Sequence, residues 1–259
     1  MPEDIKKIIL LCASLPDAAQ VYGDAKGKKL PGFGSLVEGG TWASCLISPS
    51  PAAAMLTTLS TGSSPETHGV RQPGDPCRAE YIWEASLRSS KKTSLFGFSV
   101  DRPPSGQVTA ESSQPVSLSV YLRTNPDWDI CLVNLDEAQA KEPRTTPQAI
   151  DIAIAEILGA ADPETLSMVI GLPEEDRGNG FIALAGPGVK KGAFLKRTVR
   201  LEDVVPTLCY LAELPVPADC EGGIVYQALE DPDIKIKELR TCRRNYERLK
   251  RSGGPSVMC

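Results

Sequence analysis

The stretch TTLSTGSSPETHGV, residues 57–70, holds the end of a short helical pattern and the turn that follows it. Ala54–Leu59 reads as a short helix that runs into Thr61-Gly62. Glycine is the residue that tolerates the left-handed backbone with which many helices stop. His68 is the only histidine in the 259 residues. A lone imidazole between a threonine and a glycine is expected to be a hydrogen bonder that holds its turn. Gly62, His68 and Gly69 are therefore structural candidates.

Working outward, short apolar runs alternate with helical patterns. The candidate strands are Lys7–Ala13, Thr93–Phe98, Ile130–Leu135, Leu166–Ile170 and Phe181–Ala185. Most are continuous Ile/Leu/Val/Ala runs, the pattern of parallel strands covered on both faces. After Arg144, Thr146 is placed to cap a helix and Pro147 suits its first position. Ile150, Ala153, Ile154, Ile157 and Leu158 then form one apolar stripe. A further helix is expected over Leu201–Leu211, with Glu202 and Asp203 in its first turn, where carboxylates favour the dipole. Residues 101–117, rich in Pro, Ser and Gly, read as an exposed loop. The alternation predicts a three-layer α/β/α sandwich around a mainly parallel sheet. It spans residues 1–230, followed by a basic helix and tail over 231–259.

A hydrophobic fraction of 41% and a charged fraction of 24% are ordinary for a globular protein. The net charge of −5 gives no reason to expect nucleic-acid binding by the chain as a whole. Residues 235–251 hold eight basic and two acidic side chains and are the one segment suited to RNA or an acidic partner; a solvated tail helix is the simpler reading. No apolar run approaches a membrane span, and the N-terminus lacks the features of a signal peptide. The expected location is cytoplasmic. The eight cysteines include no C-x-x-C pair, and Cys12, Cys131 and Cys209 sit in apolar segments, as buried free thiols would.

Four segments, in order, resemble the alkaline phosphatase superfamily, and within it the type I phosphodiesterases and nucleotide pyrophosphatases. LSTGSSPETHGV is similar to the family's T-G-x-x-P-E-x-H-G-[VI] segment. YIWEASLRSSKKTSLFGFSVDRPP is similar to its next helix–strand unit. DICLVNLDEAQA lines up with the strand bearing D-x-x-G-H. FIALAGPGVKKGAFLKRTVRLEDVVPTLCYLAELPVPADCEGG resembles the closing segment, with G-P-G-[VI]-K-K-G, D-[VL]-x-P-T and L-P-x-P. The resemblance spans roughly residues 5–225 and implies the family's α/β/α fold without cap insertions. It also implies phosphoryl or sulfuryl transfer by a Ser or Thr nucleophile and two divalent metals held by Asp and His.

The matching positions depart from that pattern. The aspartate that should end the first strand falls on Ala13 or Ser14, with Asp17 further on. The nucleophile position, ten residues before Gly62, is Ala52. Ser50 and Ser48 are nearby, so a two-residue slip would make Ser50 the alternative nucleophile; a plain turn is the simpler reading of Ser48-Pro49-Ser50-Pro51. In D-x-x-G-H, Asp136 is kept while Gln139 and Ala140 replace Gly and His. The Asp-His pair after the next strand is met by Gly171-Leu172-Pro173 and then Glu174-Glu175-Asp176; the last histidine is met by Asn179 or Gly180. In the family's pattern, the histidine matched by His68 is not a metal ligand.

The leading expectation is a catalytically inactive protein of phosphodiesterase-like fold, with no cofactor, acting by binding as a subunit of a larger complex. Its partner would be another protein or a second copy, not a membrane. One alternative is a phosphate- or sulfate-ester hydrolase that uses Ser50 and a divalent cation (Zn, Mg or Ca). Its oxygen ligands would be Asp136, Glu174, Glu175 and Asp176. Another is a sensor that binds a nucleotide or phosphorylated metabolite.

Overall fold

The computed structural model describes residues 5, 7–15, 17–104, 115–125, 127–138, 146–173 and 179–231. Seven strands form one sheet: β1 (Lys7–Leu15), β2 (Gly40–Leu46), β3 (Thr93–Phe96), β4 (Ile130–Asn134), β5 (Thr165–Pro173), β6 (Gly180–Ala185) and β7 (Ala193–Arg200). Their spatial order is β3-β4-β1-β5-β6-β2-β7. β1 lies between β4 and β5, pairing Leu10 with Leu132 on one side and with Met168 on the other, both in parallel. The five strands expected from the sequence are all present. Only β6 departs from the parallel expectation: it is antiparallel to both β5 and β2. Residues 174–179 are all that separate β5 from β6, and a parallel crossover needs a dozen or more.

Two cores lie against the two faces of the sheet, which explains why β1 shows no polar alternation. Ile8, Leu10 and Cys12 enter one core; Ile9, Leu11, Ala13 and Leu15 enter the other. The first core is closed by α3 (Ala52–Thr61), α5 (Ile82–Leu87) and α9 (Val204–Leu211) through Met55, Leu59, Ile82, Trp83 and Leu208. The second is closed by α1 (Ala18–Lys26), α2 (Pro31–Gly39), α6 (Pro115–Thr124) and α8 (Pro147–Leu158) through Val21, Phe33, Leu118 and Ile154. This is a three-layer α/β/α sandwich.

Local signals act where the sequence places them. The Thr146 side chain accepts from the Ala149 amide, and Pro147 opens α8. Asp17 caps α1 through the Ala19 and Gln20 amides. α2 has no capping side chain of its own; buried Asp151 on α8 accepts from the Phe33 amide at 2.8 Å and caps it across the layer. A 3-10 turn over Leu201–Asp203 leads into α9.

Two strands carry little sequence signal. β2 (GTWASCL) sets one large buried residue, Trp42, among mostly small ones, and its Gly40 is required because a Cβ there would lie 2.2 Å from the Leu184 carbonyl oxygen. β7 (AFLKRTVR) is the sheet edge and largely exposed. The loop expected over 101–117 also needs correction. Residues 115–117 already belong to α6, and Pro104 is buried; residues 105–114 lie outside the description. Of the basic helix and tail expected over 231–259, all but residue 231 lies outside it too.

Candidate functional site

The parallel strands β1, β4 and β5 end on the same edge of the sheet, the edge at which open α/β sheets place their ligands. The two alternatives for the end of β1 separate here. Ala13 is buried in the second core, whereas Ser14 is half-buried and meets Asp136. Asp136 lies in the short helix α7 (Leu135–Ala138) that follows β4. The Ser14 amide donates to both carboxylate oxygens, each at 3.0 Å, and the Ser14 hydroxyl donates to Oδ2 at 2.8 Å. Behind it, the Asp136 amide donates to Asn134 Oδ1, and Asn134 Nδ2 donates to the Gly97 carbonyl at 3.0 Å. The carboxylate is thus fixed to β1, and its backbone to the end of β4 and the loop after β3.

Ala52 is the first residue of α3 and is exposed. Its methyl group brings no nucleophilic atom to that helix end. Ser50 is half-buried two residues earlier, and Ser48 is exposed. Gly171, opposite Ala13, has the Phe181 ring where a Cβ would be, at 2.1 Å. Any side chain at Gly171 would displace that ring. Asn179 is exposed. Gln139, Ala140, Glu174, Glu175 and Asp176 lie outside the described residues.

A divalent cation needs several anionic or carbonyl oxygens, or imidazoles, converging on one point. Here Asp136 faces an N–H and an O–H, which are donors, where further acceptors would be required. Among the described residues, no group of three or more His, Cys, Asp and Glu side chains could share an ion. Cys12 lies near enough to feel Asp136, but burial first and that negative charge second push its thiol well above the usual range. It therefore offers no thiolate. The described residues do not fit the bimetallic centre that the resemblance implied.

His68 sits at the other half of α3. Its ring is fully buried; Nδ1 accepts from the Val70 amide at 3.1 Å, and Nε2 lies 3.1 Å from Thr58 Oγ1. An acceptor at Nδ1 fixes the neutral tautomer with the proton on Nε2, which donates to Thr58. Burial lowers its pKa, partly opposed by the Ala54 carbonyl and by Glu66 and Glu221. Thr58 is six residues from Ala52, about 9 Å along the helix. Gly62 and Gly69 stop α3 and α4 (Pro65–His68) in the left-handed region, at φ 71° and 78°.

The sequence did not disclose what residues 57–70 hold. Ser63 Oγ donates to the Asp219 carbonyl at 2.6 Å. Glu221 accepts from the Ser64 amide at 2.8 Å and from the Thr67 hydroxyl at 2.5 Å, while its own amide donates to the Gly62 carbonyl at 2.9 Å. The Thr67 and Ser64 bonds hold the Glu221 carboxyl below its usual pKa. The turn is therefore stapled to the last described segment. A lone glutamate in ADCEGG gave no pattern by which to find this.

No protein-family model matches the sequence, and no curated protein matches it. Solved structures do. A phosphonate monoester hydrolase from Silicibacter pomeroyi is 12% identical with a TM-score of 0.62, covering 86% of this chain and 76% of its own. A 2-O GAG sulfatase is 15% identical with a TM-score of 0.63, covering 88% and 74%. Murine ectonucleotide pyrophosphatase/phosphodiesterase 5, in an inactive threonine-to-alanine form in complex with AMP, is 11% identical with a TM-score of 0.61, covering 87% and 98%. The chain has the alkaline phosphatase-like fold, and its structural neighbours are phosphate- and sulfate-ester hydrolases of that superfamily.

Proposed function

We propose that this chain is a catalytically inactive protein of alkaline phosphatase-like fold that acts by binding, as a non-catalytic subunit of a cytoplasmic assembly with another protein or a second copy of itself. The observation that carries the reading is the Ser14–Asp136 pair. The one carboxylate matching the family's metal motif accepts three contacts from a single residue, Ser14, one of the two positions on which the family's first aspartate falls. Ala52, at the nucleophile position, supports it further. The free cysteines, five of them buried, suit a reducing compartment. No helix among the described residues is long and apolar enough to cross a membrane.

The test is metal analysis of the purified protein with turnover assays on p-nitrophenyl phosphate, bis-p-nitrophenyl phosphate and p-nitrophenyl sulfate, each with added Zn²⁺, Mg²⁺ or Ca²⁺. The expected result is no turnover above buffer. Stoichiometric metal with turnover abolished by Asp136→Ala and Ser50→Ala would establish the hydrolase instead. A native pull-down should recover the chain with a protein partner or as an oligomer; recovery solely as a free monomer would refute the subunit role.

A second reading, ligand binding without turnover, is favoured by the murine neighbour, whose inactive form is in complex with AMP. A thermal shift with AMP and no hydrolysis would identify it.

A further inference from the structure

The edge strand β7 holds a feature that neither catalysis nor its loss explains. Between Lys190 and Arg200 the chain carries five basic residues and no acidic one, within a protein of net charge −5. The ladder between β2 and β7 breaks there. Ala43 pairs with Leu195 and Cys45 with Val199, so one residue of β2, Ser44, stands opposite three of β7. Lys196, Arg197 and Thr198 are thrown out of register as a bulge, a device that re-aims side chains at sheet edges. Opposite the bulge runs the segment Gly223–Gln227, and between the two is an open cleft of about 200 Å³. Arg197, Thr198, Arg200, Gly223, Ile224 and Gln227 are among the residues that line it.

The charges in the cleft do not cancel. Its carboxylate, Asp203, accepts from the Arg200 amide at 3.0 Å, from Arg200 Nη2 at 3.2 Å and from the Gly223 amide at 2.8 Å. Glu221 is turned away onto Ser64 and Thr67. Arg200 spends one nitrogen, Nη2, on Asp203 and the Glu221 carbonyl, and Arg197 makes no ion pair among the described residues. One guanidinium, part of a second and the Thr198 hydroxyl remain to face an incoming group. Protection of an open sheet edge accounts for outward lysines. It does not account for a cleft whose one acid is already neutralised.

We propose that this cleft binds a small organic phosphate, gripped by Arg197 and Arg200, with Thr198 donating to the phosphate and Ile224 and Val225 lying against the organic part. Arginine forks match phosphate oxygens in pairs, and charge-assisted bonds of this kind are the strong ones. The site is separate from the Ser14–Asp136 edge. β7 is four strands from β1, about 19 Å at the usual strand spacing. It stands whether or not the chain is catalytic.

The test is titration of the ¹⁵N-labelled full chain with glucose 6-phosphate, followed by amide shifts, with glucose and inorganic phosphate as comparison probes. The expected result is saturable shifts at Thr198, Gly223 and Ile224 with glucose 6-phosphate, weaker ones with phosphate and none with glucose. Arg197→Ala should weaken binding about tenfold or more while leaving the rest of the spectrum in place, and Arg197→Lys should recover part of the loss. Shifts centred on Ser14 and Ala52, shifts spread over every basic surface, equal binding by Arg197→Ala, or no shift at millimolar ligand would each overturn the proposal.

Discussion

Ser14→Ala and Asp136→Ala, singly and together, put the central pair to a quantitative test. Ser14→Ala deletes the 2.8 Å hydroxyl bond but keeps the backbone donor. A hydrogen bond to a charged group contributes about 1.5–3 kcal/mol when well buried. Both residues are half-buried, so solvent screening reduces this to about 1–2 kcal/mol. Asp136→Ala also strips the Ser14 amide of its acceptor and should cost about 2–3 kcal/mol. In the double variant the hydroxyl loss is already counted, leaving a coupling energy of about 1–2 kcal/mol. Urea unfolding at pH 7.5 followed by far-UV circular dichroism, in EDTA and in 1 mM Mg²⁺ or Zn²⁺, reads all four corners. The midpoints should fall in the stated order with an unchanged slope and should not respond to the chelator. Additive losses, or a wild-type midpoint that drops in EDTA, would show that Asp136 serves something other than Ser14 and would refute the reasoning.

Three further outcomes follow from single positions. Gly62→Ala should destabilise by about 1–3 kcal/mol, because φ is 71° and the new Cβ would lie 2.5 Å from Cys220 Sγ; calorimetry that finds a neutral change would remove the claim of close approach. His68→Leu keeps the bulk but leaves Thr58 and Val70 without their partner, at a cost of about 2–4 kcal/mol in thermal unfolding at pH 7.5. The pH dependence has a definite sign. The folded-state pKa of His68 is lowered from its ordinary 6.5, so the unfolded chain takes up the proton first. Its contribution is complete above pH 6.5 and is lost as the pH falls below it; His68→Leu should flatten that part of the stability profile. Glu221→Gln should act lower, below pH 4.5, since its carboxyl is depressed by Thr67 and Ser64.

The sandwich was legible because burial on both faces writes itself as unbroken apolar runs. β1, β4 and β5 show this most clearly, and the apolar stripe of α8 gave the layer that covers them. β2 and β7 were not legible. One gains its burial from a single tryptophan, Trp42, set among small residues, with Gly40 pressed against neighbouring backbone; the other is an edge, half in water, with a bulge that breaks any period. The site divides in the same way. Counting back from Gly62 by the spacing the resemblance implies put the nucleophile position on Ala52, and α3 opens at that residue, two before the expected start at Ala54. The sequence could not choose between Ala13 and Ser14, since a one-residue step in a strand swaps the faces, and only the register against β4 and β5 settles which side chain reaches Asp136.

That choice bears on how a fold of this kind stands without the ions its motif implies. A carboxylate at the end of β4 facing another at the end of β1 would repel it in the absence of a cation, and the two loops would be pushed apart. Serine at position 14 reverses the sign of the contact: an N–H and an O–H now meet the carboxylate, and the strand ends are drawn together by a bond that requires no ion. Gly171 fits the same arrangement on the next strand. The space a side chain would need there is filled by the Phe181 ring. Here the Asp136 charge is satisfied from β1 and the neighbouring position on β5 is packed, so both contribute to holding this edge of the sheet together.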